Sequence, residues 1–276
     1  MGKDLAINQN NFKFGLSGSA IKYIAVVLMV FDHIHQMFYA WGAPLWFVWL
    51  GRPVLPVFLF TCAEGFVHTR SRKRYLLRLF IGFECMNVIS LLLNRKMPVD
   101  GVILINNVFQ TMLLSGLYIL FIENFCAGIL HRQPLKAALS VGLMMLPIAV
   151  SLCVFMISDS SHRLLLMLCM FIPNVLFTEG SVVSVLLGVA FYLLRKKPWA
   201  QALVLAALSV IVLIVQIRNG DGLFSGGAQW LMVLAVIPIL LYNGRRGHGN
   251  KYFFYIFYPA HIYLFYVIAW LLQFSI

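Results

Sequence analysis

Apolar residues run along this chain in stretches of about 20, the length a helix needs to cross the hydrocarbon core of a bilayer, separated by short polar or basic turns. That ruler predicts helices over 20–41, 45–67, 75–93, 102–122 and 137–157, then 164–194, 199–217, 229–242 and 252–274. Pro173, Asn174, Glu179 and Gly180 interrupt the sixth region, which reads either as one broken or re-entrant crossing or as two short ones. Loop charge separates the alternatives. Short loops rich in Lys and Arg stay in the cytoplasm, which places Arg70, Arg72, Lys73 and Arg74 inside, and the basic loops 131–136, 195–197 and 245–251 join them only if 164–194 crosses once. The prediction is an all-α polytopic membrane protein of nine transmembrane helices, alternatively ten, around a polar central cavity. Segment 1–18 is polar and lacks a small-residue cleavage site before the first span, so it is expected to remain as a cytoplasmic N-terminus. No repeat or linker divides 1–276, which predicts a single transmembrane domain in the cell membrane.

Composition sharpens this. With 62% hydrophobic and 11% charged residues, the chain lies outside the range of soluble globular domains. A net charge of +12 would suggest nucleic acid for a soluble protein; here the basic residues cluster between apolar spans, so the bilayer is the expected partner and nucleic acid is not. The five cysteines fall one per segment with no CxxC pair, which reads as core filling rather than a disulfide or zinc framework.

Against that apolar background the ionisable residues stand out. The first span, IKYIAVVLMVFDHIHQMFY, carries Asp32, His33 and His35, and a titratable group in hydrocarbon is costly unless it faces a polar interior. Asp32 and His33 point about 100° apart on a helix; His33 shares its stripe with Lys22, and Asp32 shares a face with His35. The plainer alternative for each histidine is a core imidazole bonded to a carbonyl. In the second span Arg52 lies near the outer edge, and Glu64 and His68 share a face, an arrangement suited to acid or base work near neutral pH or to a salt bridge from Glu64 to Arg78. Arg70, Arg72, Lys73, Arg74 and Arg78 follow, either as inside anchors or as a site for the phosphates of a cytosolic donor, which guanidinium groups bind bidentately. Glu84 and Asn87 share a face, and Asn106, Asn107 and Gln110 open the next helix, predicting a polar cavity among the first four helices. Glu123, Asp159, Arg163, Glu179, Arg218 and Asp221 sit near segment ends or breaks and read as interfacial. In the last span Tyr258 and His261 share a face beside Pro259, where a kink would present both as a substrate wall or pack them against a neighbouring helix.

Three of these stretches carry a resemblance. The pattern Lys22-x(10)-His33 with Asp32 before the histidine, the run Gly51, Arg52, Pro56, Glu64, Gly65, His68 and Arg70, and the terminal Tyr258, Pro259 and His261 are similar to the TraX family of membrane proteins, known for N-terminal acetylation of conjugative pilin. More distantly the chain resembles the acyltransferase-three membrane superfamily, whose core is often described with ten helices. The resemblance implies an acyl-CoA donor, usually acetyl-CoA, and an essential first-helix histidine. On that basis the expected catalytic residues are His33, Asp32 and Glu64. Arg52, Arg70, Arg72, Lys73, Arg74 and Arg78 are expected at the donor, with Arg52 or Tyr258 also suited to an oxyanion. His68, Glu84, Asn87, Tyr258 and His261 are expected around the substrate. The expected reaction moves acetyl from cytosolic acetyl-CoA to an amine or hydroxyl of a peptide, pilin N-terminus or cell-surface glycan, with His33 as base or acetyl carrier. The competing class is an ion-coupled transporter of a small solute; no internal repeat supports it, and a basic cluster beside a buried histidine suits CoA better. A metal site from Asp32, His33, His35 and His68 lacks an HExxH motif or a second close pair, so no metal is expected.

Overall fold

The computed structural model of the chain describes residues 15–105, 107–156, 163–225, 227–249 and 251–274, apart from the side chains of 163–166 and 251. The helices in chain order are α1 (Gly18–Phe38), α2 (Trp46–Gly51), α3 (Val54–His68), α4 (Arg72–Lys96), α5 (Val108–Leu130), α6 (Pro134–Met156), α7 (Arg163–Met170), α8 (Ser181–Leu193), α9 (Pro198–Arg218), α10 (Val236–Leu240) and α11 (Lys251–Leu272), with 3-10 turns at Tyr39–Trp41 and Gln229–Ala235. Seven stretches are long and apolar enough to cross a membrane: Gly18–Trp41, Trp46–His68, Arg72–Lys96, Val108–Leu130, Pro134–Met156, Pro198–Arg218 and Tyr252–Leu272. Two shorter apolar helical stretches, Ser181–Leu193 and Gln229–Leu240, lie where the sequence predicts its sixth and eighth crossings. The chain is a polytopic helical membrane protein.

Most predicted spans match helices to within a few residues, and the fourth does not. Residues 102–105 are not helical, and the Asn94 side chain holds them by donating to the Leu104 carbonyl (2.9 Å) and accepting from its N–H (3.1 Å). The helix starts only at Val108, where the Asn107 side chain caps it by accepting from Phe109 N–H (3.2 Å). Apolar composition alone does not register such a tether. Asn106 and Asp159, also singled out in the sequence, lie outside the described residues.

Helix α5 is central. It packs against α3, α4, α6 and α8, and close approach depends on small residues, as is usual between helices in lipid. A β-carbon at Gly188 would stand 2.6 Å from Ser115 Oγ, and one at Gly116 would stand 2.7 Å from Leu76 Cδ2. Gly188→Leu is therefore expected to force α8 off α5 and destabilise the fold by about 1–3 kcal/mol. Thermal unfolding in detergent micelles measures this, and an unchanged midpoint would contradict so tight a crossing.

The interrupted sixth region resolves into α7, irregular backbone over 171–180, and α8. Non-helical backbone at membrane depth must have its polar groups satisfied by protein, and buried side chains do so here. Gln110 donates to the Asn174 carbonyl (2.7 Å), and the Asn174 side chain donates to the Ile172 carbonyl and accepts from Phe177 N–H. Ser151 accepts from the N–H groups of Val175 and Leu176 at 3.0 and 3.2 Å. This scaffold holds Glu179 and Gly180 at the mouth of α8. The cysteines divide: Cys62 and Cys169 are buried, as core filling requires, whereas Cys85, Cys126 and Cys153 are exposed on the helix surfaces.

Candidate functional site

Helix α1 begins where the Ser17 side chain accepts from Ala20 N–H. Its N-terminal half faces one cavity and its C-terminal half another. The first, of about 660 Å³, is lined by Lys22, Glu64, His68, Arg70, Arg74, Arg78, Tyr75, Tyr255 and Arg246 among others. The second, of about 560 Å³, is lined by Asp32, His33, His35, Arg52, Glu179 and Gln229 among others. Tyr258 borders both.

In the first cavity five cationic side chains, Lys22, Arg70, Arg74, Arg78 and Arg246, face one carboxylate, Glu64. Among the described residues the ion pair present is Arg72 with Glu123, outside this cavity, so none of the five is neutralised by a carboxylate in contact. Lys22 sits over the Phe254 ring at 5.6 Å, and Arg78 over that of Tyr75 at 5.9 Å. Glu64 lies near His68 and the Tyr242 hydroxyl, and His68 Nδ1 bonds to the Glu64 carbonyl at 2.9 Å. Arg246 arrives from the loop after α10, which is tied to the start of α1. There Gly18 and Ser19 N–H groups donate to the carbonyls of Arg245 and Arg246, both at 2.9 Å.

At the wall of the second cavity His33 meets a second histidine 228 residues further along the chain, which stands behind it. His33 Nδ1 lies 2.8 Å from His261 Nε2, and His261 Nδ1 lies 2.7 Å from the Phe257 carbonyl one turn earlier in α11. Both rings are buried. His261 also stacks on Phe257, with ring centroids 5.0 Å apart, so its orientation is held from two sides. Tyr258 hydroxyl accepts from Val108 N–H (3.3 Å) and donates to Glu179 (3.5 Å). Asp32 lies against Gly51, where a side chain would have no room, and near Arg52. Arg52 itself is tethered, donating to the Gly227 carbonyl (2.7 Å) and Gln229 Oε1 (3.0 Å).

The structure thus brings together Asp32, His33, Arg52 and Tyr258 at one cavity, with His261 behind His33, and Glu64, His68, Arg70, Arg74 and Arg78 at the other. It parts Arg52 from the arginines with which it is grouped in the sequence. Besides His261, four expected site residues border neither cavity. Arg72 is held by Glu123 and Tyr192, and its guanidinium lies over Phe66. Lys73 points outward on the exposed face of the first turn of α4. Asn87 donates to the Met170 carbonyl (2.9 Å) and accepts from Asn107 (3.3 Å), which makes it part of the bracing around the broken region. Glu84 keeps Oε1 shielded and unpartnered among the described residues. The polar face predicted from Glu84, Asn87, Asn107 and Gln110 is therefore largely consumed in bracing backbone. His35 takes the plainer option, its Nδ1 bonding to the Ala43 carbonyl (2.9 Å). Among the described residues no three His, Cys, Asp or Glu side chains form a metal-binding group.

Glu179 is the residue that sequence reasoning passes over. It reads as interfacial, yet it reaches Tyr258 and lies near Asp32 and Arg52. The available signal was its position as an acid within an otherwise apolar broken region, the same signal that singles out Glu64. Lys22 and Arg246 were visible as charges but not as walls of one cavity, since α1 and the loop before α11 are far apart in sequence.

Fold and site together define a polytopic helical membrane protein whose buried histidine pair stands by one of two polar cavities that meet at a tyrosine. The chain matches the family described as TraX protein over residues 17–269, and it belongs to that family. It is 25% identical to the probable fimbrial assembly protein FimC, serogroup H1, of Dichelobacter nodosus over 265 residues, covering 89% of this chain and 93% of that protein. No solved structure matches it significantly.

Proposed function

We propose that this TraX-family protein is a single-domain membrane acetyltransferase that takes acetyl-CoA from the cytosol and delivers the acetyl group to an acceptor at the opposite side of the membrane. The observation that carries this reading is the pairing of a cation-rich, acid-poor cavity with a histidine-bearing one across Tyr258. Uncompensated Lys and Arg side chains suit the phosphates of CoA. Lys22 and His33 lie on one helix about 16 Å apart along its axis, a span that a pantetheine arm can bridge. The thioester carbonyl would then lie near His33 while the nucleotide stays among the arginines.

His33 takes a proton from the acceptor amine or hydroxyl as the acceptor atom attacks the thioester carbon. The carbon–sulfur bond breaks, the proton passes to the departing thiolate, and free CoA leaves by the first cavity. His33 as a transient acetyl carrier gives the same balance in two steps. Arg52 has N–H groups beyond those bonded to Gly227 and Gln229 to offer the oxyanion, and Tyr258 serves it only by turning its hydroxyl away from Glu179. Asp32 and Glu179 keep the second cavity polar around it, and Glu64 and His68 do the same for the first.

The topology that accompanies this reading has nine crossings, with Ser181–Leu193 and Gln229–Leu240 supplying the two short ones. It places the N-terminus and the basic loops in the cytoplasm of the cell membrane. The relative named for fimbrial assembly favours a peptide acceptor such as a pilus-subunit N-terminus over a glycan. The test is incubation of the purified protein with acetyl-CoA and a pilin-derived peptide, following release of free thiol. Thiol release that requires both is the expected result. A protein that binds no CoA, yet carries a labelled solute across a vesicle membrane, is a transporter.

A further inference from the structure

We infer that His261 is a positioning residue that locks His33 into one tautomer, with the proton on Nδ1 and the lone pair of Nε2 open to the second cavity. A backbone carbonyl only accepts hydrogen bonds, so the nitrogen of His261 facing the Phe257 carbonyl, Nδ1, carries the proton. A neutral imidazole has one donor and one acceptor nitrogen, which makes His261 Nε2 the acceptor toward its partner 2.8 Å away. His33 Nδ1 is therefore the donor, and its Nε2 is left unprotonated. That atom has no hydrogen-bond partner among the described residues and is not among the buried unpartnered atoms, so it opens on the cavity that His33 lines.

The order of the chain carbonyl, His261, His33 has the logic of an acid–histidine pair, in which a second group fixes the tautomer and orientation of the working imidazole. Here the anchor is a neutral carbonyl instead of a carboxylate, as a buried site that avoids a permanent charge requires. The stacking of Phe257 on His261 and the Phe257 carbonyl hold the ring in that orientation. Whether His33 acts as base or acetyl carrier, the free Nε2 lone pair is the group that reacts, so the inference rests on the proposed activity for its consequence but not for its geometry.

The test has two arms that fail separately. Nitrogen NMR of the purified full-length protein with labelled histidine, assigned with His33→Ala and His261→Leu, reads the tautomers directly. Both rings protonated on Nδ1 is the expected result, and a His33 protonated on Nε2 would overturn the inference even if acetyl transfer is established. In the second arm, His261→Leu removes the acceptor and is expected to lower kcat by about 10²-fold, within the range of acid–base effects. His261→Gln places an amide oxygen near the former Nε2 and is expected to recover most of that loss. Little loss in His261→Leu, or equal loss in both variants, would mean that the hydrogen bond from His33 to His261 does not carry the effect, which overturns the inference. If wild type shows both rings protonated on Nδ1 but never consumes acetyl-CoA, the acetyltransferase reading falls and the tautomer assignment stands.

Discussion

His33→Ala is expected to reduce acetyl transfer by about 10³-fold or more, toward the upper part of the range for loss of a general base, while the protein still folds. Folding should survive because of what surrounds the ring. The substitution leaves His261 Nε2 without its donor, but the space vacated adjoins a polar cavity in which water can replace the lost hydrogen bond. The stability cost is then about 1–2 kcal/mol. His33→Asn separates the two effects, since its amide can donate from near the former Nδ1 and offers no base. It should restore the melting temperature toward wild type and restore no turnover. Rates from thiol release and melting in the same micelles decide the matter. Retained turnover in either variant would remove His33 from the chemistry.

The second large effect is expected from Arg74→Gln combined with Arg78→Gln. Both side chains line the first cavity and neither forms an ion pair among the described residues, so their charge is available to a ligand. A hydrogen bond to a charged group contributes about 1.5–3 kcal/mol, and tenfold in affinity is about 1.4 kcal/mol. The double variant should therefore raise the KM for acetyl-CoA by about 10²-fold or more and leave kcat near its original value. Acetyl-pantetheine, which lacks the nucleotide phosphates, should be used equally well by variant and wild type. High salt should weaken acetyl-CoA use by wild type in the same direction, because charges that are not fully buried are screened by salt. Equal loss with both thioesters would mean that the arginines hold the fold and not the donor.

The fold was readable where physical rules act locally. Apolar length marked the seven long spans, and the polar interruptions of 164–194 marked a real break between α7 and α8. The start of α5 is not legible from hydropathy, because the tether from Asn94 to Leu104 joins residues on two different elements, which no window of hydropathy registers. Intramembrane titratable residues were equally visible, and Asp32, His33 and Glu64 all line cavities. The sequence could not disclose that His33 meets His261, since that contact depends on α1 packing beside α11. Nor could it distinguish a free arginine from a spent one. Arg72 and Arg74 are two residues apart, and only the approach of Glu123 from α5 and Tyr192 from α8 removes Arg72 from the cavity wall. The site role of Glu179 is hidden for a related reason: its neighbours Asp32, Arg52 and Tyr258 come from three other helical regions.

The most direct test is mass spectrometry of cells producing the wild-type protein beside cells producing His33→Ala at equal membrane abundance. A peptide or glycan heavier by one acetyl group in the first and unmodified in the second is the predicted result. Identical acetylation in both, or no acetylated product dependent on the protein at all, would contradict it.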